Sequence, residues 1–180
     1  KVKIGLVESL MQKDALKAGA MLGQLKGDAD EALETLRDLA RGIYPPILAD
    51  KGLAAALQSQ ARKATIAVQV EPDGVGRYPQ AQEAAVYFCV LEALQNAQKY
   101  AGASGAVVRL READGVLHFE VEDDGHGFDT ATTRKGAGLT NMADRLDALG
   151  GDVEVLSSPG AGCRVRGALP ASAALASAVR

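Results

Sequence analysis

The stretch VVRLREADGVLHFEVEDDGHGFD, residues 107–129, holds two runs of alternating apolar and polar residues around an Asp114-Gly115 pair, then turns into acids and glycines. Asp-Gly flanked by alternating hydrophobics is a strong short-range sign of a two-residue hairpin turn. Taking that pair as the loop sets Leu110 opposite Phe119 and Val108 opposite Val121 on one face, with Arg109 opposite Glu120 and Arg111 opposite His118 on the other. One face is apolar and the other charge-matched, the pattern of a sheet with one side on a core and one in water. The second strand then ends at Asp123, with Gly125 and Gly127 just beyond it. His118 is expected on the solvated face, His126 as a loop side chain facing water, and Asp124 and Asp129 as solvated loop acids.

The elements around this hairpin follow from periodicity. Upstream, GLAAALQSQARKA reads as helix, IAVQVE as strand, and a Pro/Gly-rich loop leads into a long helix from about Pro79 to Tyr100. Downstream, a helix is expected from about Gly138 to Leu149 with Leu139, Met142, Ala143, Leu146 and Leu149 inward, and DVEVLSS, PGAG and CRVRGAL make a last hairpin. Helices and an antiparallel sheet that do not alternate as βαβ units predict an α+β fold, a two-layer α/β sandwich.

The first part of the chain has another period. Leu22, Leu25, Ala29, Ala32, Leu36, Leu39 and Ile43 recur at spacings of three and four, a heptad seam, and Ile4, Val7 and Met11 form a shorter stripe. Residues 1–43 therefore read as a truncated helical hairpin, half of a four-helix bundle completed by a second copy. Gly19, Gly23 and Gly27 read as a frayed helix start. GIYPPI at 42–47 ends the helix, so 44–52 is expected as linker, 53–170 as the main domain and the Ala/Ser-rich 171–180 as a loose tail.

Composition removes several function classes. With 180 residues, 47% hydrophobic and 24% charged, the chain is an ordinary globular one. A net charge of −3 without a Lys/Arg block predicts no nucleic-acid partner. Cys89 and Cys163 form no CxxC or Cys/His cluster, so no zinc site or disulfide framework is indicated and a reducing, cytoplasmic setting is expected. No apolar run approaches the roughly 20 residues of a membrane span, so no membrane contact is expected of these residues. Lys rather than Met at position 1 reads as part of a longer protein.

Three short patterns can carry chemistry. On the long helix, Asn96 lies ~40° from Glu92, Lys99 ~20° to the other side and Tyr100 ~80° away, so the four share one face. A solvated polar face has the same pattern; a pocket of carboxylate, amide oxygen, ammonium and aromatic ring is the sharper reading, and an Asn carbonyl suits Mg²⁺. At the strand end, Asp123 delivers one carboxylate to a fixed point, and Gly125 and Gly127 let backbone approach a flat ligand. An ionised aspartate accepts from an exocyclic amine such as that of adenine, although an acidic turn after a strand has the same letters. Gly136 and Gly138 precede a helix start, where free N–H groups favour an anion.

Their order is more specific than any one of them. ExxxN on a helix, DxGxG after a strand and GxGLxNM opening a helix resemble the N, G1 and G2 boxes of the Bergerat ATP-binding fold, shared by gyrase, heat-shock chaperone, mismatch-repair and sensor histidine kinase ATPases. LGGDVEVLSSPGAGCRVRGALP and LRDLARGIYPPILADKGLAAAL resemble the kinase branch, in the class paired with helix-turn-helix response regulators. The resemblance covers about residues 20–170. It implies ATP and Mg²⁺ as cofactors, Asp123 on the adenine amine, Asn96 on the metal, Lys99 on phosphates and Tyr100 beside the nucleotide. Gly125 and Gly127 would shape the adenine pocket, and Gly136, Gly138 and Leu139 would border a mobile lid and the phosphates. Glu92 matches the general base of the hydrolytic branches and would polarise in a kinase. The implied function is phosphoryl donation to a histidine in a homodimeric two-component kinase, with a response regulator as partner; a hydrolytic ATPase, or a docking module with a vestigial site, is the alternative. Cys163 departs from the pattern where Thr is common, and the opening helix lacks the phosphoacceptor histidine.

Overall fold

The computed structural model describes residues 44–133 and 136–171, together with Gly19 and Leu22, which are helical and exposed. The helical hairpin, heptad seam and dimer expected of residues 1–43 otherwise lie outside the described residues, as does the tail over 172–180. Contacts divide the chain into Lys1–Ile43 and Tyr44–Arg180.

The second unit runs α1 (Pro46–Ala61), β1 (Ala67–Asp73), α2 (Gln80–Tyr100), β2 (Gly105–Ala113), β3 (Val116–Asp123), α3 (Ala137–Asp147), β4 (Asp152–Ser157) and β5 (Cys163–Pro170). The sheet order is β1-β2-β3-β5-β4, and the helices pack on one face of it. β2 and β3 pair in the expected register, with Leu110 opposite Phe119 and Arg109 opposite Glu120. Asp114 (φ 53) and Gly115 (φ 74) both take the left-handed conformation that such a two-residue turn demands.

The expectation of a wholly antiparallel sheet needs correction at β1. This strand pairs with β2 in parallel, Val70 opposite Val108. The connection permits this: α2 intervenes between the two strands, and parallel pairing needs a crossover of about that length.

α2 is the central element. Val86, Tyr87, Phe88, Cys89 and Val90 are all buried, and five consecutive positions point in every direction around a helix. Gln60 of α1 donates to the Tyr87 hydroxyl at 2.7 Å on one side, and Arg145 of α3 stacks 5.2 Å from the Phe88 ring centre on another. The polar strip opens only towards the C-terminal end, where Asn96 is half-buried and Lys99 and Tyr100 are exposed. In the sheet layer, Phe119 fills the space left by Gly167, where a Cβ would overlap its ring and stand 3.0 Å from Leu146.

Two further expectations change. Ala143 is exposed, since it lies ~100° from Met142 and so at the rim of the buried stripe of Met142 and Leu146. Residues 44–52, expected as linker, are part of the fold. Pro46 sits in the first turn of α1, Leu48 is fully buried, and the helix breaks only at Gly52 (φ 78). The prolines that stop one helix suit the first turn of the next, where their missing donor costs nothing.

The outer face of the sheet is a charge ladder. Arg109 reaches Glu71, Glu120 and Glu122, while Arg166 and Arg164 pair with Glu120 and Glu122 from β5. The guanidinium groups of Arg109 and Arg164 hold Glu122 below the usual carboxylate range. His118 is exposed on this face, as its register required.

Candidate functional site

β3 carries Asp123 to the end of the sheet, and the chain then turns between two supports. On one side is the end of α2: His126 donates its backbone N–H to the Ala101 carbonyl at 2.9 Å, and a Cβ on Gly125 would stand 2.5 Å from the Ala101 methyl. On the other side is the β4–β5 connection, where Gly160 N–H donates to the His126 carbonyl at 2.6 Å. Ser157 Oγ accepts Phe128 N–H at 2.9 Å and donates to the Gly162 carbonyl at 2.7 Å. Gly127 (φ 60) leaves no room for a side chain, since a Cβ would overlap the Ser158 carbonyl; one on Gly162 (φ 69) would overlap that of Asp123.

This frame fixes the carboxylate. Asp123 accepts Gly125 N–H at 2.9 Å. Burial pushes its pKa up, and the backbone N–H groups of Gly125 and Cys163 pull the other way without cancelling that rise. Cys163 faces Asp123 across the β3–β5 pair, and burial followed by the Asp123 charge pushes the thiol up to about 11. At neutral pH it is a neutral thiol, a weaker hydrogen-bonding group than a hydroxyl.

The expected four-residue face of α2 splits. Glu92 is buried and lies against the start of α3, where a Cβ on Gly138 would overlap its carboxylate. Asn96, Lys99 and Tyr100 continue from Glu92 to Ala101, the residue on which the Asp123 loop rests. The α2 strip thus joins the two glycine-bearing segments. Gly136 caps α3 with no side-chain hydrogen bond, and open space surrounds the position its Cβ would take. Leu139 packs against the core beside Met142.

Asp124, expected as a solvated acid, is exposed but bonded. Its carboxylate accepts the backbone N–H groups of Ser104 at 2.8 Å and Gly105 at 2.9 Å as well as the Ser104 hydroxyl, and these bonds lower its pKa. Asp129 is likewise exposed but bonded, accepting Ala131 N–H at 2.8 Å. His126 is exposed, with Nδ1 2.8 Å from the Gly127 carbonyl. Sequence reading missed Ser157, Gly162 and Ala101 as supports; the glycines of SSPGAG were the available signal.

The family described as histidine kinase-, DNA gyrase B-, and HSP90-like ATPase matches residues 81–173, from the second residue of α2 past the end of β5. The chain belongs to this ATPase family. An uncharacterized sensor-like histidine kinase of Chloroflexus aurantiacus is 29% identical over 91% of this chain and 30% of its own length. Sensor histidine kinase MctS of Rhizobium johnstonii is 31% identical over 79% of this chain and 32% of its own length. The Erythrobacter litoralis EL346 blue-light activated histidine kinase superposes with a TM-score of 0.55 at 28% identity, over 67% of this chain and 42% of that one. The chain therefore spans about a third of the curated relatives it matches. It is a histidine-kinase-type ATPase domain, with ATP as its nucleotide. Its donor set fits: a lone carboxylate in a glycine-lined frame, and a half-buried amide beside an ammonium on α2. Among the described residues no three His, Cys, Asp or Glu side chains gather as a metal cage.

Proposed function

We propose that this chain binds Mg²⁺-ATP along α2 and donates the γ-phosphoryl group to a histidine within a homodimeric sensor kinase whose output is a response regulator. The observation that carries this reading is the Asp123 loop, a carboxylate clamped between Ala101 and the β4–β5 connection by glycines that admit no side chain. Asp123 accepts from the adenine amine, and Gly125 and Gly127 form the wall against the base. Asn96 holds the metal and Lys99 the phosphates, with Tyr100 beside the nucleotide and Gly136, Gly138 and Leu139 at the phosphate end. When bound, Mg²⁺ supplies charge neutralisation on the phosphate oxygens. The protein's share is positioning, since phosphoryl transfer asks for little covalent work.

Glu92 separates this reading from a hydrolytic one. In a hydrolase Glu92 would be the general base on water; in the donor reading it stays buried against Gly138, where it stands here. Its role here is to polarise and to seat the first turn of α3. In this reading residues 1–43 are the dimerisation hairpin and 44–170 the ATP-binding unit, into which the expected linker 44–52 is folded. The deciding experiment is a titration with ATP and GTP, with and without Mg²⁺. Saturable Mg²⁺-dependent ATP binding with little phosphate release is expected; no binding would leave a docking module, and steady release dependent on Glu92 would make it a hydrolase.

A further inference from the structure

At the far end of α2 stands a second polar cluster, built around a carboxylate with no solvent access. Glu83 is 0% exposed. Its Oε1 accepts Arg77 Nε at 2.8 Å and Tyr78 N–H at 3.1 Å; its Oε2 accepts the Tyr44 hydroxyl at 2.6 Å and Arg77 Nη2 at 3.5 Å. The helical rise from Glu83 to Asn96 is ~20 Å, so the cluster is remote from the proposed metal ligand and the nucleotide reading gives it no task.

Arg77 extends the network. Its Nη2 donates to the Ala49 carbonyl at 2.9 Å and the Leu48 carbonyl at 3.4 Å, in the last turn before the break at Gly52. The side chain passes over Gly52, where a Cβ would stand 2.8 Å from Arg77 Cδ and where φ 78 disfavours any side chain. Glu83 therefore ties four places together: the chain at Tyr44, the opening turns of α1, the loop before α2, and α2 itself. Tyr44 is the first residue of the ATP-binding unit, directly after Ile43. A buried, paired carboxylate is a poor source of net stability compared with apolar packing. What it does provide is one geometry, because every displaced partner would leave a buried charge short of a hydrogen bond.

We propose that the Tyr44–Glu83–Arg77 cluster is a positioning joint, which fixes the backbone at Tyr44, where the ATP-binding unit begins, and so governs delivery of the phosphoryl group while taking no part in nucleotide binding. This rests on the donor reading above. Transfer demands a nucleophile nearly in line with the γ-phosphate, so a loosened entry point slows transfer and leaves ATP affinity alone.

The test uses Tyr44→Phe, which removes one hydroxyl, and Arg77→Lys, which keeps the charge but loses the fork to Leu48 and Ala49. Each variant of the chain is mixed with a His-bearing protomer of the parent kinase whose own nucleotide site is disabled by Asn96→Asp. ATP affinity, melting temperature and the transfer rate at saturating ATP are read separately. Either variant is expected to slow transfer roughly tenfold with ATP affinity within about twofold of the parent, and the double variant to be no slower than the worse single one, as for residues in one network. Parental transfer rates in both variants would overturn the joint. So would ATP affinity falling in step with transfer, which would make the cluster a support of the nucleotide site. If the unsubstituted chain binds no ATP, the donor reading itself fails, and that result is distinct from the other two.

Discussion

Asp123 holds the backbone N–H of Gly125, two residues on, at 2.9 Å, and Gly125 lies close against Ala101 at the end of α2. A Cβ at Gly125 would stand 2.5 Å from the Ala101 methyl, 2.6 Å from its carbonyl and 2.9 Å from the Asp123 carboxylate. Gly125→Ala must therefore lift the loop off α2. The expected cost is about 1–3 kcal/mol of stability, the scale of overpacking, with at least about tenfold weaker ATP binding. Gly136→Ala is the control for stability, since its Cβ meets open space. Denaturant midpoints and ATP titrations of the two variants check this.

Asp123→Asn separates binding from stability. Loss of a charged hydrogen bond to the adenine amine predicts ATP binding weaker by about 1–3 kcal/mol with far less effect on GTP; equal losses would remove Asp123 from that role. The folded-state pKa of Asp123 is raised, chiefly by burial. Its contribution to stability is thus full at low pH and is lost as pH rises through the raised value. At neutral pH the Asn variant should melt no lower than the parent. ATP affinity should begin to fall on acidification at a higher pH than the ~3.9 of an ordinary aspartate.

Neither histidine of the chain suits phosphoryl acceptance. His118 is exposed on the outer sheet face opposite Arg111, and His126 rides in the Asp123 loop with Nδ1 2.8 Å from the Gly127 carbonyl. Incubated alone with γ-labelled ATP and Mg²⁺, the chain should take up no acid-labile label, yet label a His-bearing protomer supplied in trans. Label on the isolated chain would show that one of these two histidines had been misread.

The heptad seam makes a claim of its own. Leu36→Asp with Leu39→Asp should yield monomers that bind ATP as the parent does, because both positions lie in the Lys1–Ile43 unit. Sedimentation showing the parent already monomeric at high concentration would remove the homodimer.

Much of the placement of the candidate site's residues was legible because its parts are local. The Asp114-Gly115 turn set the β2–β3 register, that register placed His118 on the solvated face, and the strand's end put Asp123 before its glycines. The β1 orientation was not legible, since a period of two says which face a residue takes but not which way the strand runs. The bonded state of Asp124 was hidden for a similar reason: its partners, Ser104 and Gly105, stand 20 and 19 residues away.

By itself the sequence determined the α+β class, the hairpin register and the order of ExxxN, DxGxG and GxGLxNM, all of which depend on spacings along one element or between neighbours. Tertiary structure alone decided that Glu92 is walled in by Gly138, that Ala101 and Ser157 support the Asp123 loop, and that Glu83 gathers Tyr44 and Arg77. Each of these is a meeting of side chains distant in sequence. Propensity and period do not encode such meetings, because desolvation and close packing select them only when α2 is laid across the sheet.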